Sequence, residues 1–205
     1  MVPALWPGLS TTLSGERVVL EPLAERHRNG LRAAAAAAGA ADAFRWMPGR
    51  LDDPAVFDGW LAQSLAWLAD GTDASFATID RVSGDAIGST RYLALRPEHR
   101  GLEIGWTWLA PSAWRTGANV EAKLLMLGHA FETVGCVRVE LKTDARNERS
   151  RGAIGALPAR FEGIHRQHMV RADGTLRDSA YYSVIDREWP DVRANLLRRL
   201  EARRS

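Results

Sequence analysis

The sequence predicts an α/β domain with a mixed sheet, in which seven mostly antiparallel strands are flanked by helices. Two observations predict this class. Segments that alternate apolar and polar residues are interspersed with segments in which apolar residues recur every three or four positions; these are the periods of strands and of helices. Most neighbouring strands are joined by short hairpin-type turns, and no linker divides the chain. We therefore expect a single domain over residues 1–205, with its core over about 14–186.

Each predicted element rests on a local pattern. In the second helix, Asp52 or Asp53 supplies the N-cap and Pro54 lies in the first turn. Asn147 is the expected cap of a short helix, and a turn at 172–174 joins the last two strands. The predicted strands lie at 17–23, 74–80, 86–95, 101–109, 137–144, 161–170 and 177–186, and the predicted helices lie at 25–38, 52–71, 121–135, 147–157 and 189–202.

The strand at 101–109 leads into the stretch that most resembles a ligand site. Its alternation places Leu102, Ile104, Trp106 and Trp108 on one side and Glu103, Gly105 and Thr107 on the other. The next stretch, WRTGANVEA from Trp114 to Ala122, starts a helix beside Gly117, where the backbone can approach a ligand. Free N–H groups and the dipole of a helix N-terminus favour phosphate. By pattern alone, the stretch also fits an ordinary strand-to-helix turn, because it lacks the known phosphate-loop motifs.

Four segments in succession resemble the GNAT superfamily of N-acetyltransferases: LEIGWTWL, WRTGANVEAKLLML, VRVELKTDARNERSRGAI and FEGIHRQHM. The resemblance covers roughly residues 14–186 and is closest to the branch that includes the ribosomal-protein N-terminal alanine acetyltransferases. This chain departs from the usual loop, with Trp114 at a basic position and Asn119 at a small one, but it retains Gly117. The resemblance implies a GNAT fold whose sheet is splayed at its centre.

The resemblance also implies acetyl-CoA as the cosubstrate. In the family, the pantetheine arm pairs with the strand before the loop, and the loop holds the pyrophosphate. An arginine beside Asn147 would meet the 3′-phosphate of the nucleotide; the plainer interpretation of that segment is a solvated turn. The residues implied to bind the cofactor are Trp108, Leu109, Arg115, Thr116, Gly117, Ala118, Asn119, Asn147 and Arg149.

Acetyl transfer to an amine requires a base for the proton, donors for the oxyanion and a leaving thiolate. By resemblance, Glu103 takes the proton through water; the alternative is a surface carboxylate on a strand. A backbone N–H near Trp108 or Leu109 would hold the oxyanion. Ser150 matches an acid proposed in the closest branch, or is only a helix side chain, and the tyrosine acid of many relatives is Ile154 here.

The segment between the first two helices covers the acceptor site in this family. Phe44, Trp46 and Met47 are therefore predicted to line an acceptor pocket together with Tyr182. The alternative is a hydrophobic staple between the two helices. Tyr181 and Tyr182 are also rival proton donors, although strand tyrosines more often serve packing.

Composition excludes several classes of protein. The single cysteine forms no internal disulfide, and no apolar stretch approaches the length of a membrane span, so we expect a cytoplasmic protein. The 27 basic residues include only two lysines, leaving 25 arginines, but a net charge of +2 is weak support for direct nucleic-acid binding. His165 and His168 are three apart on a predicted strand and should face opposite sides, so no metal is expected.

The function expected from these observations is transfer of acetyl from acetyl-CoA to a primary amine by direct attack. The acceptor is a protein N-terminus, including that of a ribosomal protein, or a small molecule. A homodimer is expected, because the apolar side chains of the strand at 102–108 and of the final helix would suit a partner. The alternative function is a non-catalytic acyl-CoA-binding module with a sensory or regulatory role.

Overall fold

The computed structural model describes residues 6–171 and 173–203, and it confirms a mixed α/β fold. Its strands are β1 (Leu13–Ser14), β2 (Val18–Pro22), β3 (Ala74–Asp80), β4 (Ala86–Arg96), β5 (Gly101–Leu109), β6 (Arg138–Asp144), β7 (Arg160–Val170) and β8 (Leu176–Ile185). Its helices are α1 (Arg28–Ala36), α2 (Ala41–Phe44), α3 (Pro54–Ala69), α4 (Ala118–Gly128), α5 (Glu148–Gly155) and α6 (Trp189–Glu201).

The strands form one sheet in the order β1-β2-β3-β4-β5-β6-β8-β7. Adjacent strands are antiparallel except β5 and β6, which run parallel because α4 connects them. The predicted count of seven strands was one short. The additional strand, β1, pairs with β2 over two residues only, which is too short to show an alternating pattern.

Apolar side chains pack on both faces of the sheet, but the helices cover the two faces unequally. On one face, α4, α5 and α6 bury residues from β2–β6 and β8, among them Leu102 and Leu141. On the other face, α1, α2 and α3 pack against β3 and β5, where Phe57 and Trp60 lie in one cluster with Trp108. Among the described residues, that second cluster includes no side chain of β6, β7 or β8. The polar side chains of these three strands therefore lie on this face beside α1–α3, in the region that we call the cleft.

A β-bulge changes the faces of β5 from those predicted. Thr90 of β4 lies opposite both Trp106 and Thr107, because the register shifts between the Ser89–Trp108 and Arg91–Gly105 pairs. Trp106 has φ of +51°, and an extra residue reverses the alternation that follows it. Thr107 consequently faces α4, and Trp108 packs edge-on against Phe44 of α2 with a ring separation of 5.4 Å. The prediction that Trp106 and Trp108 share a face with Leu102 and Ile104 was wrong.

Helix caps were predicted better than helix lengths. Asp53 caps α3 by accepting from the amides of Ala55 and Val56, and Asn147 caps α5 by accepting from that of Ser150. The predicted helix at 121–135 instead comprises α4 and a π-helical turn over His129–Thr133. The short helix α2 was not predicted, and the predicted turn at 172–174 lies partly outside the described residues.

Most of the apolar side chains expected to form a homodimer surface are buried within the chain itself. They are Trp108 of β5 and Trp189, Leu196 and Leu200 of α6, which complete the two apolar clusters. Trp106 and Leu197 of the same two elements are half-buried, and the homodimer stays a prediction. None of the helices described combines the length and the apolar character that a bilayer span requires.

Candidate functional site

The sheet opens between its two parallel strands. β5 and β6 pair only at Gly101–Arg138, Leu102–Val139 and Glu103–Glu140. Beyond Glu103 the two strands separate, while β4 and β8 continue to pair with their outer edges. Backbone groups along the inner edges of this gap therefore have no strand partner, and a polar ligand can satisfy them. The gap widens toward the carboxyl ends of both strands, where α4 and α5 begin.

The loop after β5 leads into the N-terminus of α4, whose geometry suits the binding of an anion. Arg115 and Gly117 both have left-handed backbones, with φ of +65° and +97°, and Gly117 is the N-cap of α4. The first amide of α4 that bonds to a backbone carbonyl is that of Glu121, which donates to Gly117 at 2.9 Å. The preceding helical amides are free of backbone partners, as at any helix N-terminus, and carry its positive dipole.

The rear of this loop is held by distant parts of the chain. Arg17 donates to the carbonyls of Thr116 (3.1 Å) and Arg203 (3.3 Å). Glu121 is buried and accepts from three successive amides, those of Glu16, Arg17 and Val18, at 2.7–3.0 Å. These bonds fix the start of β2 against the start of α4, so the orientation of the loop does not depend on its own short sequence.

Glu103 lies at the vertex of the gap, at the last paired position of β5. It is 3% exposed, so the alternative of a surface carboxylate is wrong. Lys142 of β6 donates from Nζ to its Oε2 at 2.8 Å. Burial raises the pKa of the Glu103 carboxyl, and the Lys142 ammonium opposes part of that rise. A carboxylate whose pKa is raised is a stronger base than an ordinary one.

The two predicted oxyanion donors differ in direction. The amide of Ala110 donates to Ile87 of β4 at 2.7 Å. Because amides alternate along an antiparallel pair, the N–H of Trp108 also points to β4, whereas that of Leu109 points to the gap. The Leu109 carbonyl has the same direction and accepts from Trp114 Nε1 at 2.9 Å. Only Leu109 therefore presents its amide to a ligand in the gap.

The predicted residues of α5 lie across the gap from the loop. Ser150 is in the first turn of α5, and its amide is engaged by the cap Asn147. The Arg149 guanidinium stacks over the ring of Trp114 at 4.0 Å. This contact joins the segment after β5 to the segment after β6 at the wide end of the gap.

The predicted acceptor residues are only partly brought together. Trp46 lies 5.2 Å from the guanidinium of Arg146, which follows β6, so the α2 segment reaches across to the far side of the gap. Met47 packs against the apolar cluster on the α1–α3 face of the sheet. Phe44 is buried within that cluster, against Trp108. Tyr182 lies on the opposite face of the sheet, in the cluster covered by α4–α6, where its hydroxyl accepts from Arg151. Side chains alternate along β8, so the face of Phe44 and Met47 is that of Tyr181.

A polar group around Tyr181 was missed by the sequence analysis. His165 stacks on the Tyr181 ring at 4.0 Å, and His168 bonds to its hydroxyl at 3.1 Å. The prediction that the two histidines face opposite sides was wrong, because β7 bulges at Gln167, whose φ is +49°. Among the described residues, no group of three histidine, cysteine, aspartate or glutamate side chains is arranged to hold a metal ion.

This arrangement defines a class of α/β protein. A mixed sheet that separates between two parallel strands, with a helix N-terminus at the wide end, can hold an extended ligand between its strands. Comparison with known proteins identifies the family. The model of the acetyltransferase (GNAT) domain matches residues 17–158, and the chain belongs to this family.

Solved structures agree with this assignment. A GCN5-related N-acetyltransferase from Brucella melitensis is 33% identical, with 92% of this chain and 85% of that chain covered and a TM-score of 0.84. Mycobacterium smegmatis RimJ in complex with CoA-disulfide shares the fold at 20% identity, with coverage of 92% and 94% and a TM-score of 0.77. The GNAT-family acetyltransferase from Bacillus anthracis is 16% identical, with coverage of 87% and 100% and a TM-score of 0.71. No curated protein matches the chain.

Proposed function

We propose that this chain transfers the acetyl group of acetyl-CoA to a primary amine by direct attack. The observation that carries the proposal is the gap between β5 and β6, which has Glu103 at its vertex and the N-terminus of α4 at its wide end. A thioester lying along this gap would have its carbonyl near a base at one end of the site, and its phosphates near free amides at the other.

The residues present fit acetyl-CoA. The α4 amides of Asn119 and Val120 and the loop at Arg115–Gly117 suit the pyrophosphate; the Ala118 amide already donates to Thr116 Oγ1 at 3.3 Å. The unpaired inner edge of β5 suits the amide groups of a pantetheine arm. The Oδ1 atom of Asn119, in the first turn of α4, is buried without a hydrogen-bond partner in the described structure. Acetyl-CoA would supply the activated acyl group; the protein supplies the binding, the orientation and the proton transfer.

The reaction requires a proton to leave the amine as its nitrogen attacks the acyl carbon. Glu103 is the group proposed to accept that proton through water. The Leu109 amide, which points into the gap, is proposed to donate to the carbonyl oxygen as negative charge develops there. Ser150, in the first turn of α5, remains the candidate that returns a proton to the thiolate.

The test is the pH dependence of acetyl transfer in two variants. Glu103→Gln should lower kcat at pH 7 by ~10²–10⁴-fold, the usual contribution of a general base, and the defect should shrink as pH approaches the amine's own pKa. The affinity for acetyl-CoA should change little, which calorimetry checks. Full kcat at pH 7 with an amine whose chemistry is rate-limiting would show that Glu103 is structural.

Lys142→Met is the second variant. It removes the cation that lowers the pKa of Glu103, so the acidic limb of the kcat profile should move to higher pH. An unmoved limb would contradict the role of Glu103 as the base. Acetyl-CoA binding without transfer to any member of an amine panel would instead support the alternative function of a non-catalytic acyl-CoA-binding module.

A further inference from the structure

One buried cation in the cleft beside Glu103 has no partner. Arg177 of β8 is 9% exposed, and its Nε atom is buried without a hydrogen-bond partner in the described structure. Across residues 6–171 and 173–203, its guanidinium makes no ion pair and no hydrogen bond. The two terminal nitrogens are not among the buried atoms without a partner, so the end of the guanidinium reaches solvent and is open to a ligand.

The position of Arg177 shows which region it serves. Along β8, Arg177, Ser179 and Tyr181 share one face. Ser179 bonds to His168 at 3.0 Å, and Tyr181 contacts the Lys142 ammonium, which holds Glu103. Burial lowers the pKa of the Arg177 guanidinium, and the nearby charge of Glu103 opposes that effect. Arg177 therefore lies in the cleft on the α1–α3 side of the sheet, where Glu103 faces.

The carboxylates of this face are already neutralised by other cations. Lys142 binds Glu103, and Arg96 and Arg138 both bind Glu140 at 3.0 Å. Asp144, beside Ser179 in the next strand, is bound by Arg146 and by Arg171. Among the described side chains of β6 and β8 on this face, Arg177 is the cation that remains. A planar guanidinium with all its donors free matches a carboxylate, which accepts two parallel hydrogen bonds.

We propose that Arg177 binds a carboxylate of the amine acceptor, so that the acceptor class is amines that bear a negative charge, not polycations. This inference rests on the proposed acetyl transfer. The cleft would then match a zwitterion, with the ammonium toward Glu103 and the carboxylate toward Arg177. The carboxylate belongs either to an acidic side chain of a peptide or to the free carboxyl end of a small molecule.

Three dipeptides with the same amino-terminal alanine test this assignment, because their reactive amines are nearly equal. Ala-Gln-amide is neutral beyond the amine, Ala-Glu-amide adds a side-chain carboxylate, and Ala-Gln with a free carboxyl end adds a terminal one. The native enzyme should prefer at least one acidic dipeptide by tenfold or more in kcat/KM, and the preferred one identifies the source of the carboxylate. Equal kcat/KM for all three would overturn the proposal while leaving acetyl transfer intact.

Arg177→Met retains the apolar stem of the side chain and removes the charge. The preference for the acidic dipeptide, taken as the ratio of the two kcat/KM values at one pH, should fall to about one. Loss of the Arg177 charge also raises the pKa of Glu103, and this effect is common to both dipeptides and cancels in the ratio. Arg177→Lys keeps the positive charge but not the planar pair of donors, and it should retain part of the preference for the acidic dipeptide. Equal losses for the acidic and neutral dipeptides, or a weaker affinity for CoA, would overturn the proposal by placing Arg177 in the general or the cofactor machinery.

Two further measurements separate this proposal from the proposed function. Calorimetry of each dipeptide with the CoA-saturated protein detects the Arg177 site even without turnover: the preferred acidic dipeptide should bind tenfold tighter than the neutral one, and only while Arg177 is present. The melting temperature of the free Arg177→Met protein should not fall, because the described structure shows no hydrogen bond or ion pair of the guanidinium for the substitution to break. A lower melting temperature would show that Arg177 is structural and would overturn the proposal.

Discussion

Lys123 offers the sharpest test of the energetics of this fold. It lies on α4, is 5% exposed, and donates from Nζ to Thr107 at 2.7 Å and to Thr90 at 3.4 Å. In the described structure it forms no ion pair with a carboxylate. Burial lowers its pKa from 10.5 to about 7. A difference of this size corresponds to about 5 kcal/mol between the protonated and neutral forms, as an order of magnitude.

The sign of the pH dependence follows from this lowered pKa. The unfolded chain binds a proton at Lys123 up to pH of about 10.5, whereas the folded chain releases it above about 7. Stability contributed by this residue therefore rises with pH between those values, and below pH 7 the folded state bears the full cost of a buried charge. Replacing Lys123 with methionine removes that cost and loses two hydrogen bonds worth ~1 kcal/mol each.

We expect Lys123→Met to be more stable than the native protein by about 2–3 kcal/mol at pH 6, once the lost hydrogen bonds are subtracted. The advantage should vanish or reverse by pH 10. Urea unfolding of both proteins at pH 6, 8 and 10 measures this, since groups that titrate equally in both proteins cancel in the difference. Lys123→Arg is the control: it cannot lose its proton and should be destabilised at every pH. A stability difference for the methionine variant that is independent of pH would refute the reasoning.

Two further predictions concern the loop at Arg115–Gly117 and the contacts behind it. Gly117→Val should weaken acetyl-CoA binding at least tenfold, about 1.4 kcal/mol. A β-branched residue does not tolerate φ of +97°, and its Cβ would lie 3.3 Å from Arg17. An unchanged affinity by calorimetry, in a folded variant, would show that the loop is not part of the site. Glu121→Gln should destabilise the chain by about 2–3 kcal/mol in urea unfolding, since one charged acceptor of three backbone amides becomes an amide that both donates and accepts; native stability would show that those amides find other partners.

The sequence predicted the parts of the site whose signals are local. Apolar periodicity located β5 and α4, and the type of residue at Asn147 identified the side-chain cap of α5. These features depend on neighbours within a few positions, so a single sequence contains enough information. The family resemblance added the order of the elements around the gap, which no local pattern supplies.

The parts that were missed depend on contacts between distant segments. The bulge at Trp106 is set by the register of β5 against β4, and it alone decides which face Trp108 occupies. The pairing of Glu103 with Lys142 joins residues 39 positions apart on strands that meet only in the folded sheet. Tyr182 was assigned to the acceptor pocket for its chemistry, but alternation along β8 turned it to the opposite face. Arg177 had no local signal, since its significance lies in a missing partner.

The contacts behind the loop at Arg115–Gly117 also bear on the order in which the chain can assemble during translation. Arg17 meets Thr116 and the Arg203 carbonyl across sequence separations of 99 and 186 residues. During translation, the segments emerge in that order, and α4 leaves the ribosome long before residue 203 does. The contacts of Arg17 and Glu121 are therefore available to the loop before the contact with residue 203 can form. Arg203 then adds a support from the far end of α6, through the Arg17 guanidinium and with its own side chain beside Gly117.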